Sequence, residues 1–223
     1  MPNALVAGMS AFAIAILLVA AGEPAVKLPA PRADGTVSVE AALRQRRSVR
    51  KFAAGSLGIA EVGQLCWAAQ GVTDDQGHRT APSARALYPL RLYVLAGDVS
   101  GLEPGLYRYL PAGHALQLVA RGDRRADFDA KAVSQRWTTI AAAPAVFVIA
   151  GDGAGSGAAF GDRGRPFLWA EAGLAAQGFF LQATALGLGS VFVGGFQPAP
   201  AREVLGLPAG EEVLAVLPVG RRP

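Results

Sequence analysis

A single cysteine, Cys66, stands in the 223-residue chain, which excludes an intrachain disulfide and a cysteine-based metal cluster. Only two histidines occur, His78 and His114, and their spacing matches no metal-ligand pattern. Lysine is equally scarce: Lys27, Lys51 and Lys131 are the only three among 21 Lys and Arg residues. The formal charge of +4 is therefore carried by arginine, a balance that suits an anionic ligand or nucleic acid. No nucleic-acid motif accompanies it, so no nucleic-acid partner is expected, and arginine-rich codon usage accounts for the excess. Neither an internal repeat nor a second domain boundary is visible. What the chain does have is apolar content, 52% of its residues, which is ample for one domain with a sizeable core. Cys66 belongs to that core, because Ile59, Val62, Leu65 and Ala69 surround it at helical spacing.

Residues 4–21 are uncharged and apolar, and a proline-rich stretch runs from Gly22 to Asp34. Small residues at Val19-Ala20-Ala21 fit the cleavage site of a secretory signal, although the preceding region carries no Lys or Arg. An uncleaved membrane anchor is the alternative, since 18 apolar residues can just span a bilayer. On either reading residues 1–36 precede the fold, residues 37–223 form it, and the domain is exported or membrane-anchored.

The organising stretch of the domain is Phe167 to Leu188, with Glu171 as its only charge and Gln177 and Gln182 as its only amides. A helix apolar on every face is buried, either in a core or as a membrane span, which its length would also suit. Its recurring Ala and Gly let neighbours approach closely, while Glu171 and Gln177 need partners once dry. Gly187 and Gly189 end it, and Val191 to Val193 read as a strand running into Gly194-Gly195. A domain of this size has limited capacity to surround such a helix, so a symmetric partner is expected on its small face, with Ala175 and Ala183 against the partner.

Elsewhere the pattern predicts helices after Ser38, over Ile59 to Gln70 and over Asp123 to Arg136. Strands are expected over Leu90 to Leu95, Ala145 to Ala150 and Val213 to Val219, with a hairpin across Pro111-Ala112-Gly113. Gly151 to Gly157, GDGAGSG, lacks dinucleotide-binding spacing and reads as a flexible loop. Arg46-Arg47-Ser48-Val49-Arg50-Lys51 places four cations and a hydroxyl together. Such a group can surround a phosphate, or can simply be a solvated basic helix end. Pro82-Ser83-Ala84 is a turn before a strand, and Gly220-Arg221-Arg222 ends the last strand with further cations.

In this order, RRSVRKF, PSARALYPLRLYV, EAGLAAQGFFLQATALGLGSVFVGGF and LPVGRRP, the chain resembles the flavin-dependent nitroreductase superfamily. Within it the likeness is to the SagB-type dehydrogenase branch, over about residues 38–223. The resemblance implies an α+β fold, a mixed antiparallel sheet wrapped by helices around a long central helix, and a homodimer. It implies an FMN-dependent oxidoreductase that moves a hydride through flavin N5 between an electron donor and a small organic substrate. A flavin-binding protein without turnover is the alternative. By the same resemblance Arg46, Ser48 and Arg50 grip the FMN phosphate, with Arg47 along the ribityl chain. Arg221 or Arg222 adds a phosphate contact, and the Gly194-Gly195 backbone meets N5, with Gly195 nearest. Pro82, Ser83 and Ala84 approach the isoalloxazine from the partner subunit. Azoline-oxidising relatives carry an adjacent Lys-Tyr pair, and none of the three lysines here neighbours a tyrosine. A flavin site also explains why no acid–base triad is evident, because the cofactor carries the chemistry.

Overall fold

The computed structural model describes residues 24–134 and 140–223, so the apolar segment read as a signal or anchor lies outside the described residues. A seven-stranded sheet, antiparallel throughout, forms the centre. Its strands are β1 (Val26–Lys27), β3 (Leu90–Ala96), β5 (Gly105–Leu110), β6 (Ala115–Arg121), β7 (Ala145–Asp152), β8 (Leu188–Ser190) and β9 (Glu211–Arg221), in the spatial order β1-β6-β5-β3-β7-β9-β8. β2 (Leu57–Gly58) and β4 (Val99–Ser100) make a separate parallel pair. Among the described residues six α-helices accompany them: α1 (Val39–Gln45), α2 (Ile59–Gln70), α3 (Arg125–Ala132), α4 (Gly153–Phe160), α5 (Gly164–Ala185) and α6 (Pro198–Leu205).

Helices cover both faces of the sheet. On one face α2 and α5 bury Leu65, Cys66, Phe179 and Ala183 against Leu92, Phe147 and Leu217. On the other, α3 and α6 bury Phe128, Val204 and Leu205 against Leu95, Val146 and Val216. Coverage on both sides explains why β7 and β9 read as nearly continuous apolar runs. Cys66 is fully buried, and burial pushes its thiol well above the ordinary range.

Local signals account for most boundaries. Ser38 caps α1, its Oγ accepting from the Ala41 N–H at 3.2 Å. At the start of α2, Glu61 reaches back to accept from the Gly58 N–H at 2.8 Å. Gly187, at φ 73°, stops α5 in the left-handed conformation usual just past a helix.

Several expectations need correction. The proline-rich stretch is part of the domain: Val26 and Lys27 pair with Leu116 and Ala115, Leu28 is buried, and the Arg32 N–H donates to Gln64 Oε1 at 2.8 Å. His114 helps to hold it, with one ring nitrogen 2.9 Å from the Pro29 carbonyl. GDGAGSG is not a flexible loop: Gly151 and Asp152 end β7, and Gly153 to Gly157 begin α4. Asp152 caps it by accepting from the Gly155 N–H at 2.8 Å, and this cap offsets the poor helix propensity of glycine. The strand expected at Val191–Val193 lies earlier, at β8, and Val193 makes only an isolated bridge to Val216. The helix expected over Asp123 to Arg136 is shorter, because Val133 leaves it to bridge Phe196.

α5 itself runs slightly earlier than expected and is not buried on every face. Leu168, Glu171, Ala172, Ala175, Ala176, Phe179 and Ala183 recur at helical spacing and face the chain's own core. The opposite face carries Trp169 and Leu174, exposed to 43% and 50%, with Ala170, Gly173 and Gln177 between them. Ala175 and Ala183 therefore serve the monomer's interior and not a partner. The approach to α2 is so close that a Cβ on Gly178 would stand 2.6 Å from the Ala68 carbonyl oxygen. No helix of the described residues is long and apolar enough to cross a membrane.

Placing a carboxylate in this face buries it without a partner. Ala175→Glu is expected to lower folding stability by about 3–5 kcal/mol, seen as a shifted denaturation midpoint. An unchanged midpoint would contradict the packing described.

Candidate active site

The basic stretch after α1 is laid along the sheet edge by a pair of glycines. Gly189 of β8 and Gly220 of β9 are partners in the ladder. A Cβ on Gly189 would come within 2.6 Å of Val49 Cγ1, and one on Gly220 within 3.0 Å of the Phe52 ring. Their missing side chains form a trough that Val49 and Phe52 fill. Backbone bonds fix the register, from Val49 N–H to the Ser190 carbonyl at 2.9 Å and from Ala53 N–H to the Arg221 carbonyl at 3.1 Å. In extended chain, alternate residues point to opposite sides. Val49 turns inward to the trough, and Ser48 and Arg50 on either side of it are exposed, with Arg46 just before them at the end of α1. This is a row of cation, hydroxyl and cation suited to a phosphate.

The remaining basic residues divide by role. Arg47 folds back over the end of α1, donating to the Arg44 and Arg46 carbonyls at 2.9 and 2.8 Å. Arg221 forms a bidentate pair with Glu61 at 2.6 and 2.8 Å and donates to the Ser56 carbonyl. Arg222 faces the other side of the strand, where its Nε donates to the Leu188 carbonyl at 2.9 Å. Among the described residues no ion pair holds its guanidinium, so Arg222 is the better placed of the two to meet an anion at the β8 edge. Gly194 and Gly195 follow the Val193–Val216 bridge, and Ser134 donates to the Gly195 carbonyl from its N–H at 3.0 Å and its Oγ at 2.8 Å. The carbonyl is thereby engaged, which orients this peptide.

Pro82, Ser83 and Ala84 lie elsewhere, against the N-terminal half of α5. Glu171, only 6% exposed, accepts from the Ala84 N–H at 2.8 Å, which supplies the partner its charge requires. Ser83 Oγ accepts from the Tyr88 N–H at 2.8 Å. Three residues of this loop hold left-handed backbone without being glycine: Arg85, Ala86 and Tyr88, at φ 52°, 54° and 49°. Such conformations cost about 1–3 kcal/mol each and persist where surrounding contacts over-determine them. Here those contacts are Glu171, Ser83 and the stacking of Arg79 on Tyr88 and of Arg85 on Phe160. The turn and α5 border a shallow groove of about 280 Å³ that includes Phe167, Ala170 and Leu174.

The two halves are well separated within one chain. Glu171 and Ala185 are 14 residues apart on a single helix, or about 21 Å at 1.5 Å per residue. The basic row lies beyond the C-terminal end of that span and the turn beside its N-terminal end. A further cavity of about 480 Å³, between residues 32–39, α2 and α5, is lined by none of the residues singled out from the sequence as binding residues. Glu61 and Ser134 were not foreseen, because their partners lie 160 and 61 residues away.

A basic row at the sheet edge, a glycine turn and a helix-anchored loop are thus set on a helix-covered antiparallel sheet, an α+β domain. Residues 43–221 match the Nitroreductase family model, and the chain belongs to that family. It is similar to a Methanocaldococcus jannaschii protein assigned as a nitroreductase, 39% identical over 186 residues, covering 83% of this chain and 92% of the relative. A solved structure from Ralstonia eutropha, assigned in the same way, is 28% identical with a TM-score of 0.78 and 90% of each chain covered. The Vibrio harveyi NADPH:FMN oxidoreductase shares the fold, at 18% identity and a TM-score of 0.59, with 82% of this chain and 68% of that one covered.

Glu171→Ala removes a charge-assisted bond worth about 1.5–3 kcal/mol. Hydrogen exchange at the Ala84 amide is expected to quicken roughly 10- to 100-fold. Unaltered protection there would show that Glu171 does not hold the turn.

Proposed function

We propose that this chain is an FMN-dependent oxidoreductase, SagB-type in its sequence pattern, transferring a hydride between an electron donor and a small organic substrate. The observation that carries the reading is the row Arg46, Ser48 and Arg50, held outward by the Gly189–Gly220 trough. These residues fit a flavin mononucleotide phosphate: two guanidinium groups and a hydroxyl within five residues at the β8 edge, where Arg222 also bonds the Leu188 carbonyl. When bound, FMN supplies the hydride chemistry at its N5. The protein binds and orients. Arg46, Ser48, Arg50 and Arg222 would hold the phosphate, and the Gly194–Gly195 backbone would hold the ring edge. Glycine there leaves the ring face open to a small substrate.

A homodimer completes the reading. In one chain the basic row packs against β8, after the C-terminal end of α5, while the Pro82-Ser83-Ala84 turn packs on Glu171 in its N-terminal half, so a second copy would bring the two together. The exposed apolar face around Trp169 and Leu174 offers a surface on which a second copy would lie antiparallel. That arrangement sets the turn of one chain beside the basic row of the other. The apolar residues 4–21 would direct export or membrane attachment. Recovery of the intact Met1 terminus in a cytosolic fraction would count against that last point.

The purified protein is expected to be yellow and to bleach with a hydride donor. Arg50→Ala should weaken FMN binding about 10- to 100-fold, from the loss of one charge-assisted contact. Equal affinity in the variant would sink the phosphate assignment. Leu174→Glu, on the exposed face, should yield folded monomer in sedimentation near micromolar concentration and lose flavin with it. A wild-type monomer that retains stoichiometric FMN would overturn the shared-site reading.

A further inference from the structure

The sheet opens at one place. β3 and β5 are paired from Ala96–Gly105 to Tyr93–Arg108 and no further, although β3 continues to Leu90 against β7 and β5 continues to Leu110 against β6. Between the parted strands lies a cavity of about 360 Å³, reached also by Gln70, Arg79 and Tyr88. Its described lining holds three arginines, Arg79, Arg91 and Arg108, and no carboxylate.

The arginines are positioned but incompletely satisfied. Arg79 stacks on Tyr88, 4.4 Å from the ring centroid, and donates to Gln70 Oε1 at 2.9 Å. Arg91 donates through one terminal nitrogen to the Tyr88 and Leu90 carbonyls at 3.1 and 3.2 Å. The Nε atoms of Arg91 and Arg108 are buried and lack hydrogen-bond partners. Glu211 is the nearest acid to Arg91, yet it stands 3.9 Å from Nε and accepts from Tyr93 Oη at 2.8 Å. One distant carboxylate does not balance three guanidinium groups. Burial first, and the charge of Arg91 second, hold the Arg79 guanidinium below its ordinary range. Buried donors without acceptors are costly, and like charges brought together add to that cost.

We propose that the β3–β5 opening is a binding site for a small oxyanion, a phosphate or carboxylate group, held by Arg79, Arg91 and Arg108. A bound oxyanion brings an acceptor to the guanidinium groups that line the opening and offsets their excess charge. Guanidinium forks suit either oxyanion in bidentate geometry. The site is independent of the flavin reading. It also touches the loop that carries Pro82-Ser83-Ala84, since Leu87 and Tyr88 line it.

Thermal unfolding of the full chain, at ionic strength held constant with sodium chloride, provides the test. Inorganic phosphate and malonate are titrated separately against wild type, Arg108→Gln and Arg50→Ala. At tenfold excess over Kd, a Tm rise of roughly 3–6 °C is expected from wild type with at least one of the two. A response to phosphate alone or malonate alone supports the site and names its oxyanion. The response should persist in Arg50→Ala, which alters the separate basic row, and vanish in Arg108→Gln. Without ligand, Arg108→Gln should melt no lower than wild type, because it removes an unsatisfied buried donor. If that variant does not fold, Arg79→Gln carries the same comparison. No wild-type response to either anion, or a response retained in both arginine-pocket variants, overturns the proposal.

Discussion

The position of every candidate site element depends on how closely α5 is allowed to lie to its neighbours. Gly178 leaves no room for a side chain beside Ala68, and Ala172, Ala175, Ala176 and Ala183 keep the same face low. A close approach brings Phe179 against Phe147 of the sheet, with ring centroids 4.8 Å apart. From that fixed axis both ends position candidate site elements. The N-terminal half offers Glu171 to a strained turn, and the C-terminal end delivers the chain through Gly187 into β8. Dispersion contacts of this kind are individually small, but a close-packed interior converts a missing methyl group into a defined position.

Polar groups inside this frame are few, and each fixes one contact. Glu171 meets a backbone N–H, Gln64 meets Gln182 at 3.1 Å, and Glu61 meets Arg221. None is a general acid or base placed toward the basic row.

Much of this was legible in the sequence, and the failures have physical causes. Boundaries governed by local chemistry were readable: the Ser38 cap, the α2 span ending before Gly71, the hairpin across Pro111 to Gly113. The trough that positions Arg46, Ser48 and Arg50 was not, because it depends on Gly189 and Gly220 being ladder partners across 31 residues of chain. The basic stretch could be seen, yet its outward face could not. β1 was missed since a two-residue edge strand in proline-rich sequence carries no period to read. α4 was missed because three glycines stand in its first five residues, and only the Asp152 cap argues for a helix. The outward face of α5 was misjudged for another reason. Ala and Leu look alike to a hydropathy pattern, and only the packing tells Ala175, inside, from Leu174, outside.

With both ends in use, α5 acts as a ruler. An α-helix advances 1.5 Å and turns 100° with each residue. One residue inserted between Glu171 and Phe179 would swing Phe179 and Ala183 out of the core and displace Gly187 from the start of β8. Length variation among related chains should therefore collect in the connections between elements, such as the segments before β3 and after β8. The span from Glu171 to Gly187 should keep its residue count even where its side chains differ.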